Sequence, residues 1–158
     1  MEDKKIEKSR KIHKKTGKTF YFATKLFPKN IREETYILYA FFRKSDNVVD
    51  TQNPTENQDD QLESFKEQAI GIEEPKDPVI EAFNEVRESK DISDENIESF
   101  IDAMKVDIEK NDYKTYEELE DYMDGSAASV GRMMTEIIDP DQKEKALDHA
   151  TSLGIAFQ

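Results

Sequence analysis

The sequence predicts an all-α fold, and three observations carry that expectation. Apolar residues recur at three- and four-residue spacing, as in Ile97, Ile101, Met104 and Ile108. Strand punctuation is missing: no hairpin-type Asn-Gly or Asp-Gly turn separates alternating apolar runs, and the chain has only five Gly. The breaks between periodic stretches look like helix caps instead, giving a packed helical array rather than a coiled coil.

In chain order, residues 6–15 read as a short basic helix and 19–26 as a second one, ending at Pro28. Asn30 with Glu33 has the spacing of a capping box and opens a long helix through residue 50. Residues 51–60 are polar and read as a loop. Leu62, Phe65 and Ala69 mark the next helix, stopped by Gly71 and Pro75. Asp77 caps a helix with Pro78 at its first position, where the missing N–H is harmless, and Val79, Phe83 and Val86 line it. Ser93 opens another. Thr115 with Glu118 forms a second capping box, leading one helix over 116–138. Asp139-Pro140 begins the last helix, with Ala146, Leu147, Ala150, Leu153, Gly154 and Phe157 on one side.

Composition narrows the function. The 158 residues suit one domain, 1–158, able to bury about 70% of its unfolded surface. A net charge of −13 disfavours nucleic acid, whose phosphates demand a basic surface. An anionic substrate binds such a chain only where divalent cations and local Lys or Arg reverse the field. There are no cysteines, and the two histidines, His13 and His149, are far apart, so thiolate and His-based zinc sites are not expected. Neither an apolar leader nor a membrane-length run is visible, which predicts a cytoplasmic protein.

Asp46 and Asp50 are the most informative residues. They lie four apart at the end of an aromatic helical stretch containing Tyr36, Tyr39, Phe41 and Phe42. Four residues are about one turn, a rise of roughly 6 Å, so both carboxylates project from one face. One reading is a solvated helix end. The other is a cation site, because acidic groups at a helix C-terminus oppose the macrodipole unless a cation joins them. Hard oxygen donors that bridge to phosphate suit Mg²⁺. Arg43, three residues earlier, can meet the same phosphate. The aromatic run is either core or the wall of an apolar cavity.

A second stretch, 122–131, has six Gly, Ala or Ser among ten residues inside a helical pattern. Small residues there permit either close helix packing or room for a long ligand, and interior Gly costs about 1 kcal/mol relative to Ala. Lys18, with Thr16 and Thr19, could donate to a diphosphate or simply form a polar turn; a P-loop is rejected on spacing.

Taken together, five segments resemble the squalene/phytoene synthase family, in the family's order. These are Lys18-Thr19-Phe20-Tyr21-Phe22-Ala23 with Leu26-Phe27-Pro28; the run from Tyr39 to Asp50; Ile101-Asp102-Ala103-Met104-Lys105-Val106-Asp107; Tyr113, Thr115, Leu119, Tyr122, Ala127, Val130 and Gly131; and Leu153-Gly154-Ile155-Ala156-Phe157-Gln158. Asn47 replaces a common second Asp, Gly17 stands where a hydroxyl is frequent, and Asp124 where a basic or aromatic residue is usual.

The resemblance implies an isoprenoid-synthase-type helical bundle, here incomplete. The implied reaction is head-to-head condensation of two prenyl diphosphates, most often geranylgeranyl diphosphate, to phytoene. Squalene or dehydrosqualene formation from farnesyl diphosphate is an alternative, with NADPH needed only for squalene. A non-catalytic partner-binding domain is the other. It further implies Mg²⁺, or Mn²⁺, on Asp46 and Asp50, with Arg43 and Lys18 on the diphosphate beside Thr19. Tyr122, Phe20 and Phe22 would flank the carbocation, Ala127, Val130 and Met134 would line the prenyl channel, and Gln158 would sit across the site. Family members carry a second aspartate motif beyond the helix reached at Gln158. The 158 residues are therefore expected to be an N-terminal half, inactive alone: either a fragment or one piece of a split protein with a complementary C-terminal half. Contact with a membrane surface is a further expectation, since the products are oils.

Overall fold

The computed structural model describes residues 3–50, 57–109 and 112–157, and among these there is no strand. The helices are α1 (Asp3–Thr16), α2 (Lys18–Thr24), α3 (Lys29–Val49), α4 (Gln58–Ala69), α5 (Pro78–Lys90), α6 (Asp94–Glu109), α7 (Tyr116–Met123), α8 (Ser129–Ile138) and α9 (Lys143–Phe157), with a π-helical turn, Asp124–Ala128, between α7 and α8.

α3 is the central element. Its Ile37, Leu38 and Phe41 pack against Leu62 and Phe65 of α4, Ile80, Phe83 and Val86 of α5, Ile97, Phe100 and Ile101 of α6, and Met133 and Ile137 of α8. Phe41 stacks on Phe83 at 3.9 Å between centroids and lies 5.0 Å from Phe65. Burial of each such ring stabilises by about 2–3 kcal/mol, so the core resides where α3 crosses α4, α5 and α6. Tyr36 and Phe41 are therefore core residues, while the half-buried Tyr39 stacks on His13 of α1 at 3.9 Å.

The caps explain most boundaries. The Asp77 carboxylate accepts from the Val79 N–H at 2.7 Å, and Thr115 Oγ1 accepts from the Glu118 N–H at 3.2 Å. α5 and α8 end at Asp91 and Asp139, both left-handed, with φ of 55° and 50°.

Four boundary expectations need correction. α3 starts at Lys29, not at an Asn30 cap, because extended Pro28 sets the entry and its carbonyl accepts from the Arg32 N–H at 2.9 Å. α4 begins at Gln58, inside the expected loop: the Gln58 amide donates to the Val48 carbonyl at 2.6 Å, tying the start of α4 to the end of α3. The single helix expected over 116–138 is interrupted by the π turn. Asp139 terminates α8 rather than opening α9, which starts at Lys143. On α9 the expected apolar side is divided: Gly154 meets the π turn, whereas Leu153 and Phe157 are exposed.

Candidate functional site

α3 delivers Arg43, Asp46 and Asp50 to one end of the molecule. Asp46 sits in the last helical turn and Asp50 is the C-cap, its N–H donating to the Asp46 carbonyl at 2.7 Å. One guanidinium serves both carboxylates: Arg43 Nη1 lies 3.4 Å from Asp46 Oδ2 and 3.5 Å from Asp50 Oδ2. These are long contacts for charge-assisted bonds, so Arg43 straddles the pair rather than locking to either.

A third carboxylate approaches from α6. Asp107 Oδ2 accepts from the Tyr122 hydroxyl at 2.9 Å. Burial raises the Asp46 carboxyl above its ordinary range, Arg43 opposes this, and the charges of Asp50 and Asp107 reinforce it. Burial likewise raises Asp107, against its Tyr122 bond, with Asp50 adding to the effect. Like charge so close to the half-buried Asp46 and Asp107 carboxylates favours a cation beside them. Among the described residues no three ligand-type side chains converge tightly enough to hold a metal by themselves. Two carboxylates facing open space nevertheless fit Mg²⁺, which keeps waters or substrate oxygens on its remaining positions.

Tyr122 is built in from α7. Burial, then the bond to Asp107, pushes its phenol up to about 12, so it stays neutral and acts as a donor. The Tyr113 ring lies 5.0 Å away at 33°. Both tyrosines line an open recess of about 440 Å³ between α6 and the π turn, with Ala103, Val106 and Gly125.

The stretch of small residues is resolved by its contacts. A Cβ on Gly125 would fall 2.7 Å from the Ser99 carbonyl of α6, one on Gly131 2.5 Å from the Ala150 carbonyl, and one on Gly154 2.5 Å from the Ala127 carbonyl. Close helix packing accounts for all three glycines. Val130 and Met134 are partly buried against the core, and Thr35 Oγ1 lies 3.9 Å from Met134 Sδ. Asp124 does not present a bare charge: Arg132 grips it at 2.9 and 3.0 Å and holds its carboxyl below the usual range.

On α2, Lys18 and Thr19 are exposed, with no hydrogen bond or ion pair to the acidic cluster among the described residues. Phe20 and Phe22 are 61% and 64% exposed. Gln158 lies outside the described residues. Asp107 is the site residue that sequence reasoning did not assign a role. The resembling segment around Met104 contained it, yet only the fold shows that it holds Tyr122 and faces Asp50.

A carboxylate pair closes the end of a buried aromatic helix and is backed by a carboxylate–phenol couple. The chain superposes on a dehydrosqualene synthase crystal structure with a TM-score of 0.84 at 26% identity, covering 97% of this chain and 53% of that one. It superposes on squalene synthase from Alicyclobacillus acidocaldarius with a TM-score of 0.83 at 24% identity, covering 96% and 57%. In sequence it is 30% identical to 15-cis-phytoene synthase of Paracoccus sp. (strain N81106 / MBIC 01143), over 90% of this chain and 49% of that protein. It is also 30% identical to 15-cis-phytoene synthase of Pantoea ananas, again over 90% and 49%. The squalene/phytoene synthase pattern matches residues 13–158, and the chain belongs to that family. It spans about half the length of the curated relatives it matches.

Proposed function

We propose that the protein to which this chain belongs condenses two prenyl diphosphates head-to-head, with geranylgeranyl diphosphate as substrate and phytoene as product. The observation that carries this reading is the pairing of Asp46 and Asp50 across Arg43, with the charge of Asp107 acting on Asp46. Asp46 and Asp50 would hold Mg²⁺, or Mn²⁺, whose charge stabilises the departing diphosphate. Arg43 is free to turn from the carboxylates to a diphosphate oxygen, and Lys18 and Thr19 are assigned as further donors. Asp107 fixes the Tyr122 ring, and donation from the phenol to a carboxylate enriches that ring in electrons toward an allylic cation. Phe20, Ala127, Val130 and Met134 are assigned to the prenyl chain, and Gln158 to the far side of the site. We place the protein in the cytoplasm; no helix among the described residues is long and apolar enough to cross a membrane.

Squalene-type synthases among the similar structures favour a second reading, farnesyl diphosphate as substrate. NADPH would enter only if squalene were the product. The test is calorimetric titration with Mg²⁺ and either farnesyl or geranylgeranyl thiodiphosphate. Binding should require the metal and weaken at least about tenfold, some 1.4 kcal/mol, in both Asp46→Asn and Asp50→Asn with unchanged circular dichroism. Equal binding by the variants would overturn the proposal, and the preferred analogue separates the two substrates.

A further inference from the structure

Between α7 and α8 the backbone is wound differently from the helices on either side. The Ser129 N–H donates to the Asp124 carbonyl, five residues back rather than four. Such a turn takes in one extra residue and so changes which side chains of the flanking helices share a face. In an uninterrupted α-helix, residues eight apart point about 80° away from each other. With one residue absorbed by the turn they behave as if seven apart, and the angle shrinks to about 20°. Asp124 and Arg132 are eight apart, and they meet in a fork: Nη1 donates to Oδ1 at 2.9 Å and Nη2 to Oδ2 at 3.0 Å. The remaining edge of the same guanidinium is also used, with Nε donating to Asn96 Oδ1 of α6 at 2.7 Å.

The contacts with α6 follow one stripe. Asn96, Ser99, Ala103 and Asp107 are spaced three or four apart and lie on one face of that helix. Asn96 takes Arg132. The Ser99 carbonyl and Ala103 Cβ lie against Gly125, where a Cβ would fall 2.7 and 2.9 Å from them. Asp107 takes the Tyr122 hydroxyl at 2.9 Å. Relaxing the turn to an α-helix would rotate α7 by about 100° against α8. Arg132 could then stay on Asn96, but Tyr122 would swing off Asp107.

We infer that the Asp124–Arg132 pair is a latch on the π turn, and that Asp124, Arg132 and Asn96 are positioning residues that keep the Tyr122 hydroxyl on Asp107. The pair closes across the π form and not across the α form, so it favours the first over the second. Its two parallel N–H···O bonds set it above an ordinary single-contact surface pair. The acid at position 124, where the family resemblance leads one to expect a basic or aromatic residue, is then half of a device rather than a stray charge beside the recess. The consequence for catalysis rests on the role proposed above for Tyr122; the latch is a property of the fold.

The experiment is NMR of the purified chain carrying ¹³Cζ-labelled tyrosine at neutral pH. The Tyr122 signal is identified by its loss in Tyr122→Phe, and its released position is given by Asp107→Asn. Asp124→Asn and Arg132→Gln should each shift that signal in the direction of Asp107→Asn, with circular dichroism unchanged. Lys143→Gln removes the ion pair to Glu136 of α8 without spanning the π turn, and should leave the signal in place. A Tyr122 signal unmoved in both Asp124→Asn and Arg132→Gln, or moved as far by Lys143→Gln, would overturn the inference. Titration of the same variants with Mg²⁺ and geranylgeranyl thiodiphosphate separates the latch from the reaction. Binding should weaken wherever the signal has moved; a moved signal with unchanged binding would uphold the latch and count against the role given to Tyr122.

Discussion

His13 is sealed between three helices at 1% exposure, stacked on Tyr39 and edge-on to Tyr21 and Tyr36, and neither ring nitrogen has a hydrogen-bond partner among the described residues. Burial lowers its pKa from 6.5 to about 4, so the folded protein keeps it neutral. The unfolded chain takes up a proton near pH 6.5 and the folded one does not. Stability from this group is therefore complete above pH 6.5 and is lost as pH falls toward 4, by at most about 3 kcal/mol. Urea midpoints measured from pH 7 to pH 5 should fall in the wild type and stay flatter in His13→Met. Equal slopes would show that His13 is protonated in the fold. Tyr122 differs in having a partner. Tyr122→Phe should destabilise by about 1–2 kcal/mol, because Asp107 loses its donor while half-buried, and Asp107→Asn should couple to it in a double-mutant cycle. Additive losses would mean the bond contributes nothing. Asp46 and Asp50 were legible in the sequence because a turn-spaced pair is a local pattern. The role of Asp107 was not, because its partner lies fifteen residues further on, across a turn, and its neighbour Asp50 lies on another helix.

At the level of elements, helix existence was legible from periodicity, and the caps at Asp77 and Thr115 from side-chain chemistry that acts over two or three residues. The boundaries at Gln58 and Pro28, and the π turn at Asp124–Ala128, depend on neighbours distant in sequence or on backbone geometry, which periodicity does not encode. The π turn offers a test with a reversed sign. Replacing an interior helical Gly by Ala ordinarily stabilises by about 1 kcal/mol. At Gly125 the added Cβ would meet the Ser99 carbonyl at 2.7 Å and Ala103 Cβ at 2.9 Å, both on α6. Backbone cannot yield as a side-chain tip does, so Gly125→Ala should lose about 1–3 kcal/mol, the usual range for overpacking. A gain in Tm would show that the π turn moves freely from α6 and that packing does not explain the glycine.

Across the whole molecule, charge works in two directions. Ion pairs tie helices together: Lys5 to Glu81 and Glu85 across α1 and α5, Lys44 and Lys8 to Asp77, Lys90 to Glu34 across α5 and α3, and Lys105 to Glu63 across α6 and α4. Against them stands the self-repulsion of a chain with net charge −13. Partly exposed pairs of this kind contribute about 0–1 kcal/mol each, so their loss on screening is small. Self-repulsion acts over longer distances, and those are the interactions that salt removes first, with a Debye length of about 10 Å at 0.1 M. Thermal stability should therefore rise as NaCl is raised from about 0.01 M to about 0.5 M. Magnesium chloride at matched ionic strength should add a further increment, because a cation held by Asp46 and Asp50 binds the folded state alone. That increment should vanish in the Asp46→Asn, Asp50→Asn double variant while the NaCl response remains. A Tm that falls with NaCl would mean the inter-helix pairs outweigh the repulsion. A magnesium increment that survives in the double variant would place the cation elsewhere on the acidic surface.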